Sequence, residues 1–188
     1  MLYLPKGAVL MVITISRQFA SGGHEIGQKL AEKLGFKFYD KELIYKAAEM
    51  SGISPDILKE VDEKAASSLL YSLSLGASSI VHGFSGTAQL PINDRVFIAQ
   101  QKLIKEYANS DCIIVGRCAD YVLKDNKNCI KIFIYADFDF RRERAINVEG
   151  IDENSVNAFI AKKDKTRANY YNYYADIKWG DYNNYDLC

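Results

Sequence analysis

Short apolar runs alternate along this chain with longer segments whose apolar positions recur at helical spacing. The first run, from Val12 to Ile15, consists of β-branched residues, which favour strands. The stripe that follows consists of Ile26, Leu30, Ala31 and Leu34. Residues three and four apart lie on one face of a helix, and Gly35 is a typical helix end. The pattern therefore predicts a strand, a connecting loop and an amphipathic helix at the start of the chain.

The same alternation continues beyond the first helix. A short strand or extended connection is predicted at 36–40, followed by helices at 41–50 and 56–70. Residues 67–89 are rich in Ser, Gly and Ala and show no clear period, so they are interpreted as the end of a helix followed by a mobile loop.

Strong periodicity returns at residue 93. Asn93 or Asp94 caps a helix whose apolar face extends to Tyr107, and continuous apolar strands follow at 112–116 and 129–135. Unbroken apolar strands separated by helices are typical of a parallel sheet that is covered on both faces. The chain is therefore predicted to be an α/β protein with a three-layer α/β/α architecture. Ligands of such sheets gather at the carboxyl ends of the strands.

Composition sets limits on the class of protein. The 188 residues are 48% hydrophobic, which suits one domain with a substantial core, predicted at 11–188 after an N-terminal extension at 1–10. No apolar run approaches the ~18 residues of a membrane helix, so we expect a soluble, cytoplasmic protein without a membrane partner. The balance of 24 basic and 24 acidic residues disfavours nucleic acid as a partner, because no overall positive field would hold its backbone.

The cysteines occur without the C-x-x-C spacing of a zinc site. They are Cys112, Cys118, Cys129 and Cys188. Their spacing predicts neither a disulfide framework nor a cysteine-ligated metal, so they are interpreted as buried thiols of a reducing compartment.

Residues 16–25, between the first strand and the first helix, have the composition of a loop that surrounds an anion. Backbone N–H groups and a helix N-terminus together bind phosphate in P-loop proteins. In the standard pattern G-x-x-x-x-G-K-[ST], Gly22 is the glycine of the G-K pair, whereas Gly23 replaces the lysine and His24 replaces the hydroxyl residue. We call residues 16–25 the phosphate loop. Its predicted phosphate-binding residues are Ser16, Arg17, Gln18, Ala20, Ser21, Gly22, Gly23, His24 and Glu25.

Four segments together resemble the cytidylate kinase-like family, a group related to P-loop nucleoside monophosphate kinases. These segments are residues 13–35, 38–44, 114–120 and 170–187. The resemblance covers nearly all of 11–188. It implies a phosphotransferase that moves phosphate from ATP to a nucleoside monophosphate such as CMP or dCMP, with Mg²⁺ as a further cofactor. It also implies a mobile helical lid at approximately 141–175.

The resemblance also suggests which residues bring charge to the phosphates. It places the missing lysine at Gly23, and Arg17 is a candidate to replace that charge. Arg17 and Gln18 could instead fix the loop by hydrogen bonds to neighbouring carbonyls. The candidates for catalysis are Arg17, Arg117, Arg141, Arg142, Lys163, Asp164 and Arg167. The charges of the lid also fit a solvated helix face, on which Asp164 pairs with Arg167.

The candidates for binding the acceptor are Asp40, Arg117 and Asp120. Asp40 ends the second predicted strand, where it could accept a hydrogen bond from a sugar hydroxyl or a base amine, or could cap the next helix. Arg117 follows a buried strand, where a guanidinium can bind an acceptor phosphate bidentately.

No protein ligand for Mg²⁺ is predicted. His24 and Glu25 stand where the family usually has hydroxyl residues that cap the helix and hold magnesium. Val115 stands where its strand usually ends in an acidic residue, and Asp120 is the nearest substitute.

Several alternatives follow from the same residues. The tyrosines at 170–174 could stack on a base, or divide between the core and the subunit interface of a homodimer. The missing lysine also fits a nucleotide-binding or regulatory protein without turnover, and the few acceptor contacts also fit a kinase for another small acceptor. RNA binding through 162–167 is a third alternative. Residues 184–188 resemble the opening of a last strand, so the chain also fits a C-terminal truncation.

Overall fold

The computed structural model describes residues 10–40, 42–50, 52 and 92–188. Its centre is a four-stranded parallel sheet in the order β2-β3-β1-β4. The strands are β1 (Val12–Arg17), β2 (Lys37–Tyr39), β3 (Cys112–Val115) and β4 (Cys129–Ile134). Val12 lies opposite Cys112 on one side and Cys129 on the other. The interior strand β1 therefore delivers the phosphate loop to the carboxyl edge of the sheet.

Helices cover both faces of this sheet. They are α1 (Gly23–Leu34), α2 (Glu42–Met50), α3 (Ile92–Tyr107), α4 (Ala119–Val122), α5 (Phe138–Asn147) and α6 (Val156–Ala175), followed by a 3₁₀ turn at Tyr182–Asn184. Ile15 of β1 shares a core with Ala31 of α1, whereas Val12 shares another with Leu43 of α2 and Leu103 of α3. Odd and even residues of a strand face opposite sides, so β1 is covered by helices on both faces.

The predicted three-layer α/β/α architecture is confirmed. The strands predicted at 36–40, 112–116 and 129–135 are present with slightly shorter bounds, and the helix capped near residue 93 ends at Tyr107 as expected. The helix predicted at 56–70 and the loop within 67–89 lie outside the described residues.

The end of the chain runs beside β4. Leu187 forms a parallel bridge with Ile132, and its carbonyl accepts a 2.9 Å hydrogen bond from the N–H of Phe133. The Asp186 carboxylate accepts a 2.8 Å bond from the N–H of Lys131. Residues 186–187 thus extend along the sheet, as their strand-like sequence predicts.

Cys112, Cys118 and Cys129 are buried free thiols, but Cys188 is exposed, so the prediction of burial is wrong for Cys188. Among the helices that the structure describes, none is long and apolar enough to cross a membrane.

Candidate functional site

The phosphate loop joins the carboxyl end of β1 to the amino end of α1. Ala20 and Gly22 have left-handed φ angles of 56° and 82°, and Gly22 is the N-cap of α1. The N–H groups of residues 20–25 have no hydrogen-bond acceptor within the described part of the chain. N–H groups at a helix start, together with the positive end of the helix dipole, favour an anion. The loop therefore presents a continuous run of unpaired donors.

Polar side chains of the loop fasten it to the end of β4. The Ser21 hydroxyl oxygen lies 2.9 Å from the carbonyl oxygen of Gln18 and 3.2 Å from that of Ile134. The backbone N–H of Gln18 donates to Ile134 at 3.0 Å, and its side-chain oxygen accepts from the N–H of Ala136 at 3.4 Å. Ser16 is buried in β1. Gln18 and Ser21 therefore hold the shape of the loop.

The side chain of Arg17 lies across two glycines. A Cβ on Gly23 would be 2.6 Å from Arg17 Cβ and 2.8 Å from Arg17 Cγ, and a Cβ on Gly116 would overlap Arg17 Nη1. Arg17 Nη2 lies 3.4 Å from Asp40 Oδ1, and the Arg17 carbonyl accepts a 3.1 Å hydrogen bond from Arg167 Nη1. Arg17 therefore connects the start of α1, the end of β3, the end of β2 and helix α6.

Arg117 enters this group from a strained turn. Gly116, Arg117 and Cys118 follow β3 with successive φ angles of 78°, 57° and 56°. Left-handed backbone costs a non-glycine residue about 1–2 kcal/mol, so it persists where the surrounding structure requires it. The turn places the Arg117 charge close enough to Arg17 to oppose its protonation.

Positive charge is concentrated around Arg17. Burial, helped by the guanidinium groups of Arg167 and Arg117 and opposed by Asp40, lowers the pKa of Arg17 to about 10. Burial also lowers the pKa of Arg167, against the effect of Asp164 and Asp40. Arg17 stays protonated at neutral pH. Buried guanidinium groups that repel one another gain stability from an anion placed between them.

Asp40 holds both Arg17 and His24. Its side chain is 6% exposed, and its second oxygen lies 2.6 Å from His24 Nδ1. The His24 ring packs edge-on against Phe38, yet 57% of the His24 side chain is exposed. A carboxylate paired with one imidazole nitrogen fixes the ring and supports proton transfer at the other nitrogen. The two carboxylate oxygens of Asp40 are therefore engaged by residues of the phosphate loop.

Arg141 and Asp164 form hydrogen bonds to the backbone of the phosphate loop. Arg141 Nη2 pairs with Asp164 Oδ2 at 2.5 Å, and Arg141 Nε donates to the Phe19 carbonyl at 3.0 Å. The N–H of Phe19 donates to Asp164 Oδ1 at 2.7 Å. Arg141 is 5% exposed, so its interpretation as part of a solvated helix face is wrong. Both residues touch the loop through Phe19.

Arg142 and Lys163 have partners outside the phosphate loop. Arg142 pairs with Glu153 at 2.8 Å, and Lys163 Nζ lies 5.3 Å from the centre of the Phe159 ring. Glu153 lies between α5 and α6, and Phe159 belongs to α6. These two candidates are thus placed within the predicted lid.

Arg144 is a site residue that the sequence analysis missed. Its Nη2 donates to Glu25 at 2.7 Å, and its Nε would lie 4.0 Å from a Cβ on Gly22. The Nε atom is buried without a hydrogen-bond partner among the described residues. Residues three apart share a helix face, so the spacing of Arg141 and Arg144 could have indicated that both meet the loop.

Asp120 lies in the protein interior. It is 3% exposed, and its Oδ2 accepts a 2.7 Å hydrogen bond from the Tyr171 hydroxyl. Burial raises the pKa of the carboxyl, although the bond from Tyr171 opposes this. Its Oδ1 is buried and has no partner among the described residues. An acceptor could contact Asp120 only by reaching into the protein interior, and the predicted role of Asp120 in acceptor binding stays a prediction.

The tyrosines of α6 divide between core and surface. Tyr171 is 3% exposed, and the Tyr174 ring stacks on Phe97 with centroids 3.8 Å apart. Tyr173 is 70% exposed. Tyr171 and Tyr174 thus belong to the core alternative, and the predicted homodimer stays a prediction.

No group of three or more His, Cys, Asp or Glu residues that could hold a metal lies in the described ranges. The loop hydroxyl of Ser21 is directed to carbonyl oxygens, and His24 is engaged by Asp40. The Ser21 and His24 side chains are thus both engaged within the protein.

Solved structures show the same fold. An uncharacterized protein from Eubacterium ventriosum ATCC 27560 is 31% identical, with a TM-score of 0.65 over 95% of this chain and 86% of that one. Shikimate kinase from Bacteroides thetaiotaomicron is 14% identical, with a TM-score of 0.52 over 95% of this chain and 85% of that one. The latter likeness supports the architecture of a P-loop kinase. No curated protein matches this sequence.

A family profile matches the sequence from the first residue of β1 to the last residue of the chain. The profile is that of the cytidylate kinase-like family, and the match covers residues 12–188. This chain therefore belongs to the cytidylate kinase-like family.

Proposed function

We propose that this protein transfers a phosphoryl group from ATP to a nucleoside monophosphate of the CMP or dCMP type. The observation that carries the proposal is the meeting of unpaired loop N–H groups, at residues 20–25, with the guanidinium groups of Arg17, Arg117 and Arg167. Such donors and charges match the oxygens of a polyphosphate. The family membership supports nucleotides as the ligands.

Transfer would depend on position and charge, without a covalent intermediate. The loop N–H groups would hold the donor phosphates, and Arg17 and Arg167 would stabilise charge that develops on the transferred group. Arg117, at the end of β3, would bind the acceptor phosphate so that its attacking oxygen lies in line with the transferred phosphoryl group. The predicted lid at 141–175 would exclude water, and the grip of Arg141 and Asp164 on Phe19 would keep the loop in shape.

A second candidate is a kinase for a small alcohol, and the His24–Asp40 pair favours it. A nucleoside monophosphate offers an oxygen that is already ionised, whereas a hydroxyl must lose a proton during transfer. The 2.6 Å contact between His24 Nδ1 and Asp40 has the form of an oriented base. A third alternative is a nucleotide-binding protein without turnover.

One assay separates these functions. ATP turnover is measured against CMP, dCMP, UMP and AMP and against a panel of small polyols, with thermal stabilisation by ATP read on the same sample. CMP-dependent ADP formation that falls at least a hundredfold in Arg17→Ala, with Lys102→Ala on α3 unchanged as a control, supports the proposed kinase.

The other results are equally informative. Turnover with a polyol that is lost in His24→Asn supports the second candidate. Stabilisation by ATP without any turnover supports a binding protein. Absence of both signals with every compound contradicts the proposed function.

A further inference from the structure

We propose that Arg17 is the phosphate-binding cation of this loop, delivered from the end of β1, and that Gly23 is glycine because Arg17 occupies its side-chain space. The inference rests on the proposed function for the ligand, but its steric half stands without it. It predicts that a lysine restored at position 23 would damage the site.

The first step concerns the space that a side chain would fill at position 23, the first residue of α1. Arg17 Cβ and Cγ lie 2.6 and 2.8 Å from the place of a Cβ on Gly23. Real Cβ atoms do not approach other atoms so closely, and the blocking atoms are the stem of Arg17 next to its own backbone. Because the backbone fixes the position of Arg17 Cβ, side chains at 17 and 23 exclude each other while the backbone keeps its present course.

The second step is the far end of the same side chain. A Cβ on Gly116 would overlap Arg17 Nη1. Gly116 also has a φ of 78°, which side chains rarely adopt. Glycines at 23 and 116 thus open a channel for the whole length of Arg17, from the start of α1 to the end of β3.

The third step is charge. Arg17 is anchored to Asp40 by a contact of 3.4 Å, which is long for a hydrogen bond. Burial and two neighbouring guanidinium groups lower its pKa to about 10. Because this contact is long and the stem of Arg17 touches Gly23 of the loop, the guanidinium has donors to offer to phosphate oxygens bound there.

Moving the cation from position 17 to position 23 tests whether Arg17 binds phosphate. ATP and AMP binding is measured by calorimetry for the wild type, Arg17→Gly, Gly23→Lys and the double variant. Gln28→Lys adds the same charge to an exposed position of α1 as a control. We expect ATP affinity to fall at least tenfold in each single variant and by less than threefold in the control.

In the double variant, the lysine enters the vacated channel. The ATP affinity of the double variant should then be at least tenfold higher than the two single effects predict when multiplied together. Its AMP affinity should stay within threefold of the wild type. Gly23→Lys binding ATP as tightly as the wild type, or purely multiplicative effects in the double variant, would overturn the inference.

Unfolding tests the steric half without any ligand. Gly23→Ala should lower the urea midpoint in the wild-type background and leave it unchanged or raised in the Arg17→Gly background. Equal shifts in both backgrounds would overturn the inference even where ATP binds. A wild type that binds no ATP but shows this background dependence would instead contradict the proposed function and leave the shared space of Arg17 and Gly23 supported.

Discussion

The carboxylate of Asp164 on α6 accepts a 2.7 Å hydrogen bond from the backbone N–H of Phe19 in the phosphate loop. The same carboxylate pairs with Arg141, which in turn donates to the Phe19 carbonyl. Both backbone groups of one loop residue are thus held by the two helices of the predicted lid. Residues that looked like candidates for contact with substrate have a role in holding the loop.

Asp164→Ala should therefore destabilise the protein. Removal of one partner leaves a buried Arg141 charge and an unpaired Phe19 N–H, and we expect a loss of about 2–3 kcal/mol in the free energy of unfolding. Urea unfolding measures this loss. Asp139→Ala, at an exposed position of α5, should change the free energy by less than about 0.5 kcal/mol. Equal stability of the two variants would contradict the structural role of Asp164.

The sequence predicts what depends on neighbours along the chain. The run from Val12 to Ile15 and the stripe before Gly35 determine β1 and α1 by local periodicity, and both elements are present. The contact between Phe19 and Asp164 joins residues 145 positions apart, so periodicity carries no information about it.

The site follows the same division. The phosphate loop could be located from small residues between a strand and a helix. The path of Arg17 over Gly23 and Gly116 could not, because it depends on the separation of β1 and β3 in the folded sheet. The composition of α5 likewise indicated Arg142 as a candidate and missed Arg144, although Arg144 is the one that pairs with Glu25.

Arg144 and Arg142 should differ in nucleotide binding. Arg144 has a buried, unpartnered Nε beside Gly22, whereas Arg142 pairs with Glu153. Loss of a charge-assisted contact of about 1.5 kcal/mol predicts roughly tenfold weaker ATP binding in Arg144→Met. Arg142→Met should stay within about threefold of the wild type, because Arg142 pairs with Glu153 outside the phosphate loop. Calorimetric titration with ATP compares the two variants, and weaker binding in Arg142→Met than in Arg144→Met would assign the contact with ATP to Arg142 instead.

Asp120 should make stability depend on pH. Burial raises its pKa in the folded state, with the hydrogen bond from Tyr171 opposing. The other titratable groups that interact with it are Lys131, Cys118, Cys129 and Tyr185. The folded protein then binds the proton more tightly than the unfolded chain, so the carboxyl contributes a loss of stability as pH rises above the unfolded value of about 3.9. The loss is complete once the pH has passed the raised folded pKa.

Asp120→Asn removes this dependence and keeps an acceptor for the Tyr171 hydroxyl. We expect the variant to exceed the wild type in stability at pH 7.5, with the difference shrinking toward pH 4. Urea unfolding across that range measures it, and Tyr171→Phe, which removes the donor, should instead lose about 1–3 kcal/mol. A difference between Asp120→Asn and the wild type that grows toward pH 4 would contradict the sign of the shift.

Gly27 sets the distance between α1 and the sheet. A Cβ there would lie 3.1 Å from Ile15 Cδ1, 3.1 Å from Phe38 Cε2 and 3.3 Å from Val115 Cγ2. These atoms belong to three consecutive strands of the sheet, β2, β3 and β1, so a side chain added at position 27 would meet all three. Gly27→Val adds a branched side chain to this space, and we expect a loss of about 2–3 kcal/mol from overpacking. Glu32→Val, exposed on the same helix, controls for the helix propensity of valine and should cost below about 1 kcal/mol. Urea unfolding of both variants separates packing from propensity. If the two valines cost the same, close packing at Gly27 would not set the distance between α1 and the sheet.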